Sequence, residues 1–163
     1  MTIKPSQLLE DMGFSIQTCM QCGTCTGGCP SGTYTGLNTR RIVQSARRDK
    51  DVLNDDDLWM CTTCYTCQER CPRGIKIVDA ILALRTEAVH SGIMLPAHRM
   101  VAQVVISKGH AVPINDDTKE QRKQLGLDVL PATVHKFPDS LEQVKKLLAS
   151  TGFVELIADE DSK

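Results

Sequence analysis

The 163-residue chain is sized for one domain with room for an extension, and not for a multidomain machine. Its 19 Lys and Arg against 20 Asp and Glu leave a formal net charge of -1, which argues against a general polyanion binder whose affinity rests on neutralising phosphates, nucleic acid included. Hydrophobic residues make up 41%, yet the rings amount to three Phe, two Tyr and one Trp, so aromatic side chains can supply little of a core.

Taken in chain order, Met1 to Phe14 carries Glu10 and Asp11 where a secretory signal would place its apolar stretch, and the chain is expected to stay in the cytoplasm. A first cysteine run spans Cys19 to Cys29. In the 31 residues from Pro30 to Met60, Thr39 to Lys50 (TRRIVQSARRDK) reads as a helix, and Asn54 to Asp57 caps a short one carrying Leu58, Trp59 and Met60. A second run spans Cys61 to Cys71. After Pro72, the apolar positions Ile75, Ile77, Val78, Ile81, Leu82 and Leu84 predict a helix to about His90, stopped by Gly92. Ala80 to Leu84, the longest apolar run, has five residues against the ~20 a membrane span needs.

Downstream, Pro96 to Ser107 reads as a helix with proline in its first turn and Gly109 at its end. Asn115 or Asp116 caps a polar helix to about Leu125, and Pro138 to Ala149 places Leu141, Val144, Leu147 and Leu148 at helical spacing. Phe153 to Ile157 alternates weakly and is expected to fray, with addition of a strand to a partner as the less favoured reading. No alternation of period two surrounds the cysteines, so the fold class is mainly α.

The eight cysteines all fall in the two runs: Cys19, Cys22, Cys25, Cys29 and Cys61, Cys64, Cys67, Cys71. Each run reads C-x2-C-x2-C-x3-C followed by Pro30 or Pro72, the ligand spacing of bacterial ferredoxin clusters. Three cysteines at intervals of three let one tight loop set three thiolates on three corners of an iron-sulfur cube, and the fourth corner takes a cysteine from elsewhere. In two-cluster ferredoxins the fourth cysteine of each run ligates the other cluster. The expected ligand sets are therefore Cys19, Cys22, Cys25 and Cys71 for one [4Fe-4S] cluster, and Cys61, Cys64, Cys67 and Cys29 for the second. Proline after each fourth cysteine favours extended backbone leading out of the loop. Disulfides fit poorly between neighbours on so tight a loop, zinc usually takes two separated C-x2-4-C pairs, and a redox C-x-x-C belongs near a βαβ pattern. With all eight sulfurs used as ligands, no thiol is left to react with a disulfide substrate.

At an offset of 42, residues 19–32 and 61–74 share seven identities in fourteen: the four cysteines, Thr24 with Thr66, the prolines, and Gly32 with Gly74. The core is an internal duplication. Arg70 and Arg73 flank Cys71 and are placed to offset cluster charge, so Arg73→Gln should lower a cluster potential in a redox titration. Gly27 and Gly28 are expected to let backbone N–H groups approach the sulfides. Arg40, Arg41, Arg47 and Arg48 form either a docking patch for an acidic partner or a solvated helix face. His90, His98, His110 and His135 are too evenly spread to form a ligand pair.

Through the two runs, the helical linker and the stretch CPRGIKIVDAILALRTEAVHSG (Cys71 to Gly92), the sequence resembles the iron-sulfur C subunit of the soluble heterodisulfide reductases of methanogens, over most of its length and including Thr151 to Phe153. The cysteine part is also similar to the iron-sulfur subunits of succinate dehydrogenase, fumarate reductase and anaerobic glycerol-3-phosphate dehydrogenase. The resemblance implies an α-helical ferredoxin domain over residues 1–92, holding two [4Fe-4S] clusters, and a helical extension over 93–163 for contacts between subunits. It implies as heterodisulfide reductase partners a flavin-bearing A subunit, which feeds electrons to this chain, and a catalytic B subunit, which reduces the mixed disulfide of coenzyme M and coenzyme B. A hydrogenase or formate dehydrogenase module would stand upstream, with flavin-based bifurcation coupling the step to ferredoxin reduction. The residues agree on one independent point: there is no adjacent Cys-Cys of the kind the catalytic partner carries and no G-x-G-x-x-G fingerprint, so this chain reads as a one-electron wire without a substrate site. The rival readings are the same wire in a fumarate, glycerol-phosphate or sulfur-oxidising complex, a free ferredoxin, and a structural zinc module.

Overall fold

The computed structural model describes residues 4–158, apart from the side chain of His135. It divides into two compact units, Met1–Ile93 and Met94–Lys163. Among the described residues there is no β-strand, and no helix is long and apolar enough to cross a membrane.

In the first unit, helix α1 (Pro5–Asp11) starts on a proline, whose missing N–H is no loss in a first turn, and buries Leu9. Its free Ser6 N–H donates to Asp49 Oδ1 at 2.9 Å, a cap supplied from 43 residues away. A 3-10 turn, Ile16–Thr18, then drives Ile16 into the core. Two one-turn helices follow, α2 (Thr24–Gly27) and α3 (Gly32–Thr35), and then α4 (Thr39–Arg47), whose Asn38 cap accepts from Arg41 N–H at 3.0 Å. The helix expected over 39–50 is shorter because Arg48 leaves helical geometry and Asp49 is left-handed, with φ 50°.

A 3-10 turn, Asp56–Met60, capped by Asp55, buries Leu58; the short helix expected there is this tighter turn. The one-turn helix α5 (Thr66–Glu69) precedes α6 (Ile77–His90), which buries Ile77, Ile81, Leu84 and Ala88 at alternating steps of four and three. Leu82, on the opposite side, is exposed. The core is aliphatic: Leu9, Ile16, Ile42, Leu58, Ile81 and Leu84 are closed to solvent, whereas no aromatic ring is buried among the described residues. Each such side chain stabilises the unit by roughly 1.5–3 kcal/mol.

The second unit holds α7 (Pro96–Lys108), α8 (Asp116–Gln124), a 3-10 turn at Val134–Lys136, α9 (Pro138–Ser150) and α10 (Phe153–Ile157). Pro96 and Pro138 occupy first turns, and Asn115 and Thr118 cap α8 reciprocally. Gly109 ends α7 at φ +75°, and a side chain there would run into Val134. The frayed tail expected after α9 is instead helix α10. Gly152 turns the chain back at φ 74°, α10 packs on α7 and α9, Ile157 is buried, and Arg99 Nη1 donates to the Ile157 and Ala158 carbonyls at 2.9 and 3.0 Å.

Candidate metal centres

The duplication seen in the cysteine runs is repeated in the backbone. Gln21 and Gly23 are left-handed, at φ 61° and 85°, and so are Thr63 and Tyr65, 42 residues on, at 54° and 62°. Helices α2 and α5 start at the next residue in each case. A left-handed residue other than glycine costs about 1–2 kcal/mol, so three of these four positions hold strain that the surrounding loop must sustain. Helix α2, which carries Cys25, packs against α5, which carries Cys67.

Cys19, Cys22 and Cys25 line a chamber together with Cys71, a cysteine from the other run. Arg40 and Val43 of α4 and Arg73, Ile75 and Ile77 complete its walls. In the second group, burial first, and then the charges of Cys61, Cys25, Cys64 and Cys29, push the Cys67 thiol up to about 12. Burial likewise raises the Cys25 thiol, with a smaller contribution from Cys19. The second cysteine of each run behaves in the opposite way. Cys22 and Cys64 are exposed, and the hydroxyls of Thr24 and Thr66, 3.4 and 3.5 Å from their sulfurs, hold both thiols below the ordinary value, helped by the backbone N–H of the same threonines. The identity of Thr24 with Thr66 is visible in the sequence; its role as sulfur partner is visible only here.

None of the eight cysteines is paired in a disulfide. Among the described residues no three His, Cys, Asp or Glu side chains converge on one point as a single ion requires. Thiols spaced around a chamber suit a cube with four separated iron corners, and coordination would deprotonate even the raised Cys67 outright. Donors to sulfur are present as well: Gly32 N–H reaches Cys29 Sγ at 3.3 Å and Gln21 Nε2 reaches Cys19 Sγ at 3.1 Å.

Among the glycines of residues 19–32, Gly32 has the least room for a side chain. A Cβ on Gly32 would stand 2.7 Å from the Leu37 carbonyl and 3.5 Å from Cys29 Cβ, whereas Gly27 borders open space and Gly28 makes room for Arg70 of the other loop. The basic cluster of α4 divides by task. Arg40 lines the chamber, Arg41 pairs with Asp57 at 2.7 Å and Asp55 at 3.6 Å, and Arg47 turns to the Cys19 carbonyl. Of the histidines, His90 closes α6 and His98 lies in α7; the side chain of His135 lies outside the described residues.

A fold with no strand among the described residues, built on two cysteine loops each followed by a helix, defines a helical ferredoxin-type protein, and residues 15–75 match the family model of the 4Fe-4S dicluster domain. Over 155 residues the chain is 56% identical to the C subunit of the ferredoxin:CoB-CoM heterodisulfide reductase of Methanosarcina mazei, covering 94% of this chain and 96% of the relative. It is 58% identical over 153 residues to the C subunit of the ferredoxin/F(420)H(2)-dependent CoB-CoM heterodisulfide reductase of Methanosarcina acetivorans, covering 93% and 95%. It is 52% identical over 147 residues to the C subunit of the H(2):CoB-CoM heterodisulfide,ferredoxin reductase of Methanothermobacter marburgensis, covering 89% and 80%. The chain belongs to the family of heterodisulfide reductase C subunits, the iron-sulfur subunits of an oxidoreductase.

Proposed function

We propose that this chain is the electron-transfer component of a cytoplasmic heterodisulfide reductase complex, passing single electrons from the flavin-bearing A subunit to the B subunit, which reduces the CoM-S-S-CoB disulfide. Two [4Fe-4S] clusters are assigned, one to Cys19, Cys22, Cys25 and Cys71 and one to Cys61, Cys64, Cys67 and Cys29. The observation that carries this reading is the chamber in which Cys71 joins the three thiols of the opposite loop. When bound, such clusters supply reversible one-electron chemistry at potentials set by their surroundings.

The protein's own residues account for the rest. Cys25 and Cys67 lie on helices in contact, so the two centres are neighbours. Arg40 and Arg73 at the first chamber set positive charge against four thiolates. With every sulfur used as a ligand, disulfide reduction falls to the catalytic partner, and residues 93–163 serve contacts between subunits. The relatives' names carry ferredoxin, F(420)H(2) or H(2), so the upstream reductant, including any hydrogenase or formate dehydrogenase module, is a property of the assembly.

Anaerobic co-purification followed by iron and sulfide counting tests this, with about eight of each per chain expected from two cubes. Cys29→Ser should damage the cluster otherwise held by the second run; damage confined to the first run's cluster would refute the crossed assignment, and iron-free protein would refute the function.

A further inference from the structure

The duplication extends beyond the cysteine runs. Ahead of each run a 3-10 turn buries one aliphatic side chain, Ile16 before Cys19 and Leu58 before Cys61, again 42 residues apart. After each run comes a long helix, but the second connector is shorter, so that Thr39 of α4 corresponds to Ile77 of α6 at an offset of 38. In this register the buried residues Thr39, Ile42, Val43 and Ala46 fall on Ile77, Ala80, Ile81 and Leu84, all buried as well. The second amide of each helix is capped from the equivalent place in the one-turn helix of the same half's cysteine run, α2 or α5. Thr26 Oγ1 accepts from Arg40 N–H at 2.9 Å, and Gln68 Oε1 accepts from Val78 N–H at 3.0 Å.

Across these nine positions, TRRIVQSAR against IVDAILALR, one residue is identical: Arg47 with Arg85. Each arginine reaches the backbone carbonyl of the first cysteine of its own half. Arg47 Nη1 donates to the Cys19 carbonyl at 2.8 Å and Arg85 Nη2 to the Cys61 carbonyl at 2.7 Å. The remaining donors differ. Arg47 Nε uses the Gln17 side chain at 3.2 Å, whereas Arg85 Nε takes the Leu58 carbonyl at 2.9 Å, with its guanidinium 5.8 Å over the Trp59 ring. Core side chains change size between the halves, as Ala46 against Leu84 does, while the guanidinium stays. A planar fork that grips carbonyls explains part of this. Charge explains the remainder: a four-thiolate cube is anionic and gains a further negative charge on reduction, and a cation fixed one peptide from a ligand sulfur favours the reduced form.

We propose that Arg47 and Arg85 are a matched pair of positioning residues, each locking the loop of its own half and raising the potential of the cluster which that loop holds. The inference rests on the two-cluster reading above. Its test is a redox titration followed by EPR on the full chain, purified and loaded with iron and sulfide under anaerobic conditions. Arg47→Gln and Arg85→Gln are each expected to lower the midpoint of half the titrating signal, and the double variant to lower both halves by the single-variant amounts. Arg→Lys keeps the charge but not the fork and should lower the same midpoint by less; it serves wherever a Gln variant does not retain iron. Loaded variants with unmoved midpoints, or single variants whose shifts fall on the same half, overturn this proposal and leave the two-cluster reading standing. A wild-type chain that holds no iron, or one cluster, overturns both.

Discussion

The two units are built from similar helices and differ in what those helices cover. In residues up to Ile93, α1, α4 and α6 bury a continuous aliphatic set from Leu9 to Ala88. Among the described residues of the second unit only Ile157 is buried, while Leu125, Leu127, Phe137 and Leu147 stand at least half exposed. A cluster-binding unit has to hold thiols in fixed positions, and a closed core under its loops does so. A unit whose apolar side chains remain open gains burial only by association, which is why residues 93–163 are proposed as a contact surface.

Several substitutions would sharpen or break this contrast. The largest effect is expected from Leu84→Ala, which empties a fully buried site on α6 and should cost about 2–5 kcal/mol in denaturant unfolding. The matching change in the second unit, Leu147→Ala, removes a side chain 61% exposed and should stay within about 0.5 kcal/mol. Equal losses in the two variants would erase the distinction between the units.

Gly109→Ala comes next, at about 1–3 kcal/mol, because the new methyl meets Val134 and the backbone is left-handed. Hydrogen exchange should then accelerate in α7 and α9 and leave α4 and α6 unchanged. Acceleration in both units would show that they unfold as one.

The smallest effect is expected at Asp49, whose carboxyl the Ser6 backbone N–H holds below its ordinary value, with lesser help from the Ser6 side chain and Lys4. A lowered folded value means that the contribution is complete above the unfolded pKa of about 3.9 and is lost as pH falls through the folded one. Asp49→Asn should therefore speed Ser6 amide exchange at neutral pH, with the gap from wild type closing in acid. A gap that persisted below both values would show that the carboxylate is not the cap.

Much of the fold is legible in the sequence where the signal is local. Pro96 and Pro138 start α7 and α9, Asn115 caps α8, and the cysteine spacing repeats at 42 residues. The misreadings lie where a distant contact decides. Phe153 to Ile157 alternates weakly in sequence, but packing against α7 and α9 makes it helical. The correspondence of α4 with α6 is hidden because the connectors differ in length and only Arg47 and Arg85 are identical.

By itself the amino-acid sequence determined the number of thiols, their spacing, the doubled motif and the places where helices begin, because each depends on residues within one or two turns of one another. Only the tertiary structure decided that the Leu37 carbonyl closes the space for a side chain at Gly32, and that Arg47 and Arg85 hold the carbonyls of Cys19 and Cys61. The arginine contacts join residues tens of positions apart, and no local periodicity encodes which carbonyl a guanidinium will find once the core between them has closed.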